Sequence, residues 1–188
     1  WLYGSGIEDT DRSCFSDGTI ACQTMEVFLA KAASTAAPGQ VDTLELFGGE
    51  GLTSYIMLRR YNAVTGKNFD LATGMDLTKD SDVKALFSYI AVHKPVVVIM
   101  APPCTMLKGW KYLNEKLYPE TSAATKKNSK LLGKLAAKVA RTQLEADRHF
   151  LVENPRGSEL YDMDEWAALG PYVHKVVFDQ CRTGLKMR

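Results

Sequence analysis

Residues Val96 to Thr105 read VVVIMAPPCT. Five apolar residues, Val96 to Met100, run without a break into Ala101, Pro102, Pro103 and Cys104. A short β-branched run that ends at proline predicts a strand buried on both faces, as in the middle of a parallel sheet. Ligands of open α/β sheets bind beyond the carboxyl ends of the strands. Cys104 is therefore expected at the mouth of a site, on a loop stiffened by Pro102 and Pro103. Taken alone, the same thiol reads equally well as a small buried hydrophobe.

The surrounding composition is that of one ordinary globular domain: 188 residues, 46% hydrophobic and 24% charged. A net charge of +1 excludes a polycation, so any nucleic-acid contact must come from a local patch. Cysteines 14, 22, 104 and 181 form no CxxC pair and have no histidine partners at a zinc spacing, so no metal is expected. There is no signal-peptide pattern and no long apolar segment, which predicts an intracellular chain without a membrane partner, nuclear if its source is eukaryotic. The first residue is Trp1 rather than Met, which reads as an excerpt of a longer polypeptide.

Residues 1–39 read as an N-terminal extension with one helix, from about Thr19 to Ala33, in which Ile20, Val27, Phe28 and Ala30 face the main domain; Pro38-Gly39 breaks it. Residues 40–188 read as the main domain. Within it, VDTLELFGGEG at 41–51 predicts a strand, a tight turn at Gly48, Gly49 and Gly51, and a helix over Leu52–Tyr61. Glycines are required where a strand turns at once into a helix and backbone N–H groups approach a ligand closely. The dinucleotide GxGxxG spacing and the GK[ST] of a phosphate loop are both missing, which leaves S-adenosylmethionine as the common cofactor for such a turn. Asp70 lies where an acid after a second strand accepts ribose hydroxyls. Asp76 reads either as an adenine-side acid or as a capping acid for a helix over Asp80–His93.

After Cys104 the sequence predicts a long connection, Met106 to Thr125, and then an amphipathic helix with Leu131, Leu132, Leu135, Val139 and Leu144 on its apolar side. From 108 to 141 there are eight lysines (108, 111, 116, 126, 127, 130, 134, 138) and Arg141, against Glu115 and Glu120. Trp110, Tyr112 and Tyr118 are interleaved with them. Charges for phosphates with aromatics for bases suit a nucleic-acid channel; a solvated helix face is the alternative. HFLVE at 149–153 predicts another strand, ending in Glu153-Asn154-Pro155, either a site acid or an ordinary turn acid. A short helix over Tyr161–Leu169 and a strand over Val173–Asp179 lead to Gln180-Cys181-Arg182.

Four of these pieces, in this order, resemble the C5-cytosine DNA methyltransferase family. LFGGEG at 46–51 is similar to the family's FxGxG motif, APPC at 101–104 to its Pro-Cys, Glu153-Asn154 to its Glu-Asn, and Gln180-Cys181-Arg182 to its Gln-x-Arg. The wording PPCT, ENP and DQCRTGL is also similar to compact methyltransferase domains carried by some eukaryotic retroelements. The sequence departs from the family's usual pattern at Thr105, where it has glutamine, and at Pro155, where it has valine. The resemblance implies a Rossmann-like S-adenosylmethionine-dependent α/β fold, a mostly parallel central sheet flanked by helices. It implies methyl transfer from S-adenosylmethionine to carbon 5 of cytosine in DNA through a cysteine adduct. Cys104 would be the nucleophile, Glu153 the proton source at the ring and Arg182 the partner of the base oxygen. Cofactor contacts would fall to Glu45, Phe47, Gly48, Gly49, Glu50, Gly51, Leu52, Asp70, Asp76 and Pro102. Pro103, Thr105, Lys108, Trp110, Asn154 and Gln180 would hold a cytosine flipped from the duplex, under a closing loop at 106–125. RNA cytosine methylation, a catalytically inactive nucleic-acid-binding module, and a protein or small-molecule methyltransferase with an incidental Cys104 stay open as alternatives.

Overall fold

The computed structural model describes residues 2–4, 40–107 and 111–177, with only the backbone of the first three. Strand β1 is Leu2–Gly4, β2 Thr43–Leu46, β3 Thr65–Phe69, β4 Val97–Met100, β5 His149–Val152 and β6 Val173–Lys175. The helices are α1 Leu52–Tyr61, α2 Asp80–His93, α3 Lys111–Leu117, α4 Pro119–Glu145 and α5 Asp164–Ala167. One sheet joins the strands in the order β3-β2-β4-β5-β1-β6. Its β3, β2, β4 and β5 are mutually parallel, and β1 runs antiparallel to both β5 and β6. The expected α/β architecture, a parallel sheet flanked by helices, is present and compatible with a Rossmann-like fold.

The apolar run at 96–100 lies at the middle of this sheet because it can be buried on both faces; Val97, Val98 and Met100 have no exposed surface. Alternation along the strands sorts the side chains. Leu44 and Leu46, Val98 and Met100, Phe150 and Val152 join a core with Leu86 and Ile90 of α2 and Leu135, Ala136, Val139 and Ala140 of α4. Each large side chain fully buried here contributes about 1.5–3 kcal/mol. Trp166 of α5 closes the core's end, its indole N–H donating to the Gly133 carbonyl at 3.1 Å. Thr43 and Glu45 point to the opposite face, where α1 lies.

Three features differ from the sequence reading. Leu2–Gly4 belongs to the sheet itself, between β5 and β6, so the extension supplies a strand of the main domain; the expected helix at 19–33 lies outside the described residues. The stretch from Lys111 onward, expected as a loop to Thr125, is helical. Pro119 both ends α3 and begins α4: the residue before proline avoids the helical region, and Tyr118 sits at φ −139°, ψ 65°. Proline is then suited to the first position of the next helix. Ser122 fastens the joint by donating from Oγ to the Asn114 carbonyl at 2.8 Å. The helix expected over Tyr161–Leu169 is split into a 3-10 turn at Glu159–Asp162 and α5.

Candidate active site

The four parallel strands end in one row: Phe69 pairs with Leu46, Leu46 with Met100 and Met100 with Val152. One more rung crosses the row, with Phe47, Ala101 and Glu153 donating their N–H groups to Phe69, Leu46 and Met100 at 3.0, 3.1 and 2.9 Å. From β2 the chain passes to β3 on one side, and from β3 it crosses back to β4 on the other. The loops after β2 and β4 therefore diverge, and the crevice between them is where open α/β sheets take ligands.

On one side of that crevice is the glycine turn. Phe47 adopts φ 59°, unusual for a bulky residue, and Gly49 and Gly51 adopt φ 58° and 78°. The Gly49 peptide groups are held from both sides: Asn68 Nδ2 donates to the Gly49 carbonyl at 2.8 Å, and the Gly49 N–H donates to Asp70 Oδ2 at 3.0 Å. Asp70 Oδ1 accepts from Ala72 N–H at 2.7 Å. Glu45, only 4% exposed, passes beneath the turn and accepts from Ser54 N–H at 2.9 Å and Ser54 Oγ at 2.7 Å. Gly51 at the start of α1 has no side chain for capping, and Glu45 does that work from the strand. A Cβ at Gly48 would lie 2.4 Å from Glu45 Cγ, Cδ and Oε1, so this glycine is required for close approach. Glu50 and Leu52 are exposed at the rim.

The two acids separate in role. Asp70 braces the glycine turn. Asp76 accepts from Thr78 Oγ1 at 2.6 Å and Thr78 N–H at 3.1 Å, and its Oδ2 lies 3.5 Å from Lys79 Nζ. The Thr78 hydroxyl first, then the Thr78 N–H, hold its carboxyl below the ordinary value. Its carboxylate thus holds the turn before α2, whose N-cap is Lys79 and which receives no side-chain capping bond.

Across the crevice stands the thiol loop. Cys104 is a half-buried free cysteine; its carbonyl accepts from Leu107 N–H at 2.9 Å, closing a turn anchored by the buried Met106 and Leu107. Pro103 and Thr105 are exposed on it, and Pro102 is buried. The loop is tied twice to the one after β5. Asn154 Nδ2 donates to the Pro102 carbonyl at 2.8 Å, and Glu159 N–H donates to the Leu107 carbonyl at 3.0 Å. Glu153, half-buried, comes directly before Asn154. The Tyr161 phenol beside it is pushed up by burial and, secondarily, by the Glu153 charge. Asn154 Oδ1 is buried without a hydrogen-bond partner.

Lys108, Trp110, Gln180 and Arg182 lie outside the described residues. Because β6 runs parallel to β5, the chain leaves Lys175 toward the same edge as Glu153. The basic patch is partly neutralised: Lys111 pairs with Glu159 and Lys134 with Glu165 at 2.7 Å, both acids beyond the 108–141 window, and Lys126 pairs with Glu115 inside it at 3.0 Å. Tyr112 and Tyr118 are exposed. Sequence reading missed Asn68, Ser54 and Tyr161. Asn68 had a usable signal, since it sits two residues before Asp70, on the same side of an extended chain.

Among the described residues no group of three or more His, Cys, Asp or Glu side chains is placed to hold a metal ion, and no helix is long and apolar enough to cross a membrane. Comparison with family models, curated proteins and solved structures finds no match.

Proposed function

We propose that this chain transfers a methyl group from S-adenosylmethionine to carbon 5 of cytosine in DNA, with Cys104 as nucleophile. The observation that carries the reading is the convergence at one sheet edge of the braced glycine turn, the Cys104 loop and Glu153. The Asn154–Pro102 hydrogen bond holds the last two together. The glycine turn suits the cofactor: its peptides are fixed by Asn68 and Asp70, and of the first N–H groups of α1 Glu45 takes that of Ser54, leaving those of Leu52 and Thr53 to receive a ligand carboxylate. When bound, S-adenosylmethionine supplies a methyl group on a sulfonium centre.

The residues then divide the work. The Cys104 thiolate forms a bond to cytosine carbon 6, and the displaced electron pair moves into the ring, where Glu153 protonates N3. Carbon 5, now nucleophilic, takes the methyl group. Loss of the carbon 5 proton to a base, breaking of the sulfur–carbon bond and return of the N3 proton to the Glu153 carboxylate would release 5-methylcytosine and regenerate the thiolate. Arg182 is assigned to the base oxygen by its motif. An intracellular site of action, nuclear in a eukaryote, belongs to the same reading.

The test is a denaturing-gel assay with DNA containing 5-fluorocytosine. Fluorine at carbon 5 cannot leave as a proton does, so the protein stays attached. A band requiring S-adenosylmethionine and lost in Cys104→Ala is expected. Its absence, with DNA binding intact, refutes methyl transfer by this chain and favours a binding module. The exposed tyrosines and unpaired lysines are the observation behind that second reading. The same assay on RNA of equal sequence distinguishes the RNA alternative.

A further inference from the structure

α4 spans 27 residues, from the edge that carries Cys104 back to the opposite edge, where β5 begins. Along it Lys127, Lys130, Lys134, Lys138 and Arg141 are all exposed. Their spacings of three, four, four and three residues place them on one helix face, because steps of three and four alternate about the same direction. From the first to the last is 14 steps, about 21 Å of helix at 1.5 Å per residue. The opposite face, with Leu135, Ala136, Val139 and Ala140, is buried in the core.

The pairing pattern separates this stripe from the rest of the basic patch. Lys111 and Lys126 are taken by Glu159 and Glu115 near the site. Lys134 is taken by Glu165, and Lys138 lies over the Phe87 ring at 4.8 Å. Lys127, Lys130 and Arg141 have no ion pair among the described residues. Leu131 is the only large exposed apolar side chain on α4, so the stripe has almost nothing to insert into a lipid interface, which binding at a membrane surface would need. A single phosphodiester strand presents one charge per 3.4 Å of axis, about six over the length of the stripe, along which Lys127, Lys130, Lys138 and Arg141 stand without an acid partner among the described residues.

We infer that the exposed basic face of α4 is a track for the phosphate backbone of nucleic acid, running away from the Cys104 edge and distinct from the crevice. It would engage sequence flanking whatever base enters the site, and it carries no base readout. The inference shares with the proposed function a nucleic-acid partner and requires no methyl transfer.

The full chain and a Lys127→Gln, Lys130→Gln, Lys138→Gln, Arg141→Gln variant would be titrated against a fluorescent 30-base-pair duplex across a salt series. Lys134 is left in place because of its ion pair. At about 0.9 per phosphate contact, the slope of log affinity against log salt should flatten by roughly three to four. A Lys→Arg version of the three lysine positions should keep the original slope. If the fourfold variant does not fold, the Lys127→Gln, Lys130→Gln pair should show half the change. An unaltered slope in a folded variant overturns the inference, as does tighter binding to phosphatidylserine vesicles than to DNA at equal phosphate. The covalent-adduct assay separates the two proposals: no adduct from the unaltered chain alongside stripe-dependent binding refutes methyl transfer alone.

Discussion

Replacing Gly48 with alanine tests whether the glycine turn is held by Glu45. Gly48 does not have a left-handed φ, so alanine meets no backbone penalty there; its cost is purely steric. The added Cβ falls 2.4 Å from three atoms of Glu45, which is buried and cannot swing into solvent without leaving Ser54. Two hydrogen bonds to a carboxylate, at 2.9 and 2.7 Å, would be lost or stretched. Bonds to charged groups contribute about 1.5–3 kcal/mol each, and reducing the freedom of the unfolded chain returns about 0.4–1 kcal/mol. With partial relaxation, the net loss should be about 1–3 kcal/mol. A domain of this size loses about 2–4 °C in Tm per kcal/mol, so a fall of roughly 2–12 °C is expected by circular dichroism. The decisive comparison is a double-mutant cycle. Glu45→Ala alone should be destabilising for loss of the same bonds. Adding Gly48→Ala to it should cost less than about 0.5 kcal/mol, because the obstructing side chain is gone. Equal cost in both backgrounds would refute the claim that Gly48 is needed to make room for Glu45.

Asn154→Ala removes the donor to the Pro102 carbonyl and should destabilise the fold by about 1–3 kcal/mol. It should also speed iodoacetamide labelling of Cys104, followed by peptide mass mapping; an unaltered labelling rate would mean that Asn154 does not hold the thiol loop. Burial holds the His149 imidazole below its ordinary value, with Asp147 opposing. The unfolded chain therefore takes up this proton first, and the stability present above about pH 6.5 should decline as pH falls below it. His149→Gln should flatten that part of the Tm profile, and an unchanged acid slope would count against the assignment. Tyr89 Oη accepts the Lys67 N–H at 3.1 Å where β3 slips its register against β2; Tyr89→Phe should accelerate deuterium exchange at the Lys67 amide, and unchanged protection would mean that Tyr89 does not hold that amide.

Several elements of this fold were legible because they rest on local chemistry. The run Val96–Met100 is apolar throughout, so it had to be a strand buried on both faces, and Pro102 and Pro103 had to end it. Gly48, Gly49 and Gly51 after an apolar strand predicted a tight turn into α1, and HFLV before Glu153-Asn154-Pro155 predicted β5 with an acid at its end. These readings place Cys104, Glu153 and the glycine turn at strand ends without any knowledge of which strands are neighbours. What brings them to one edge is the order β3-β2-β4-β5 and its register, which depends on how the helices cover the sheet.

The remainder was set by partners far apart in the chain. Leu2–Gly4 is too short to announce itself as a strand, and it becomes one only because β5 and β6 both offer it hydrogen bonds. Pro119 looks like a breaker in an isolated segment; with Ser122 fastened to Asn114 it joins two helices. Asp70 and Asp76 are alike in sequence, yet one meets Gly49 and the other Thr78. The basic patch counted from 108 to 141 loses part of its charge to Glu159 and Glu165, which lie outside that window. Local sequence thus determined the strand ends where the reactive side chains sit. Tertiary structure decided which carboxylates brace the backbone and which lysines keep their charge exposed, because a hydrogen bond or ion pair is selected by distance in space.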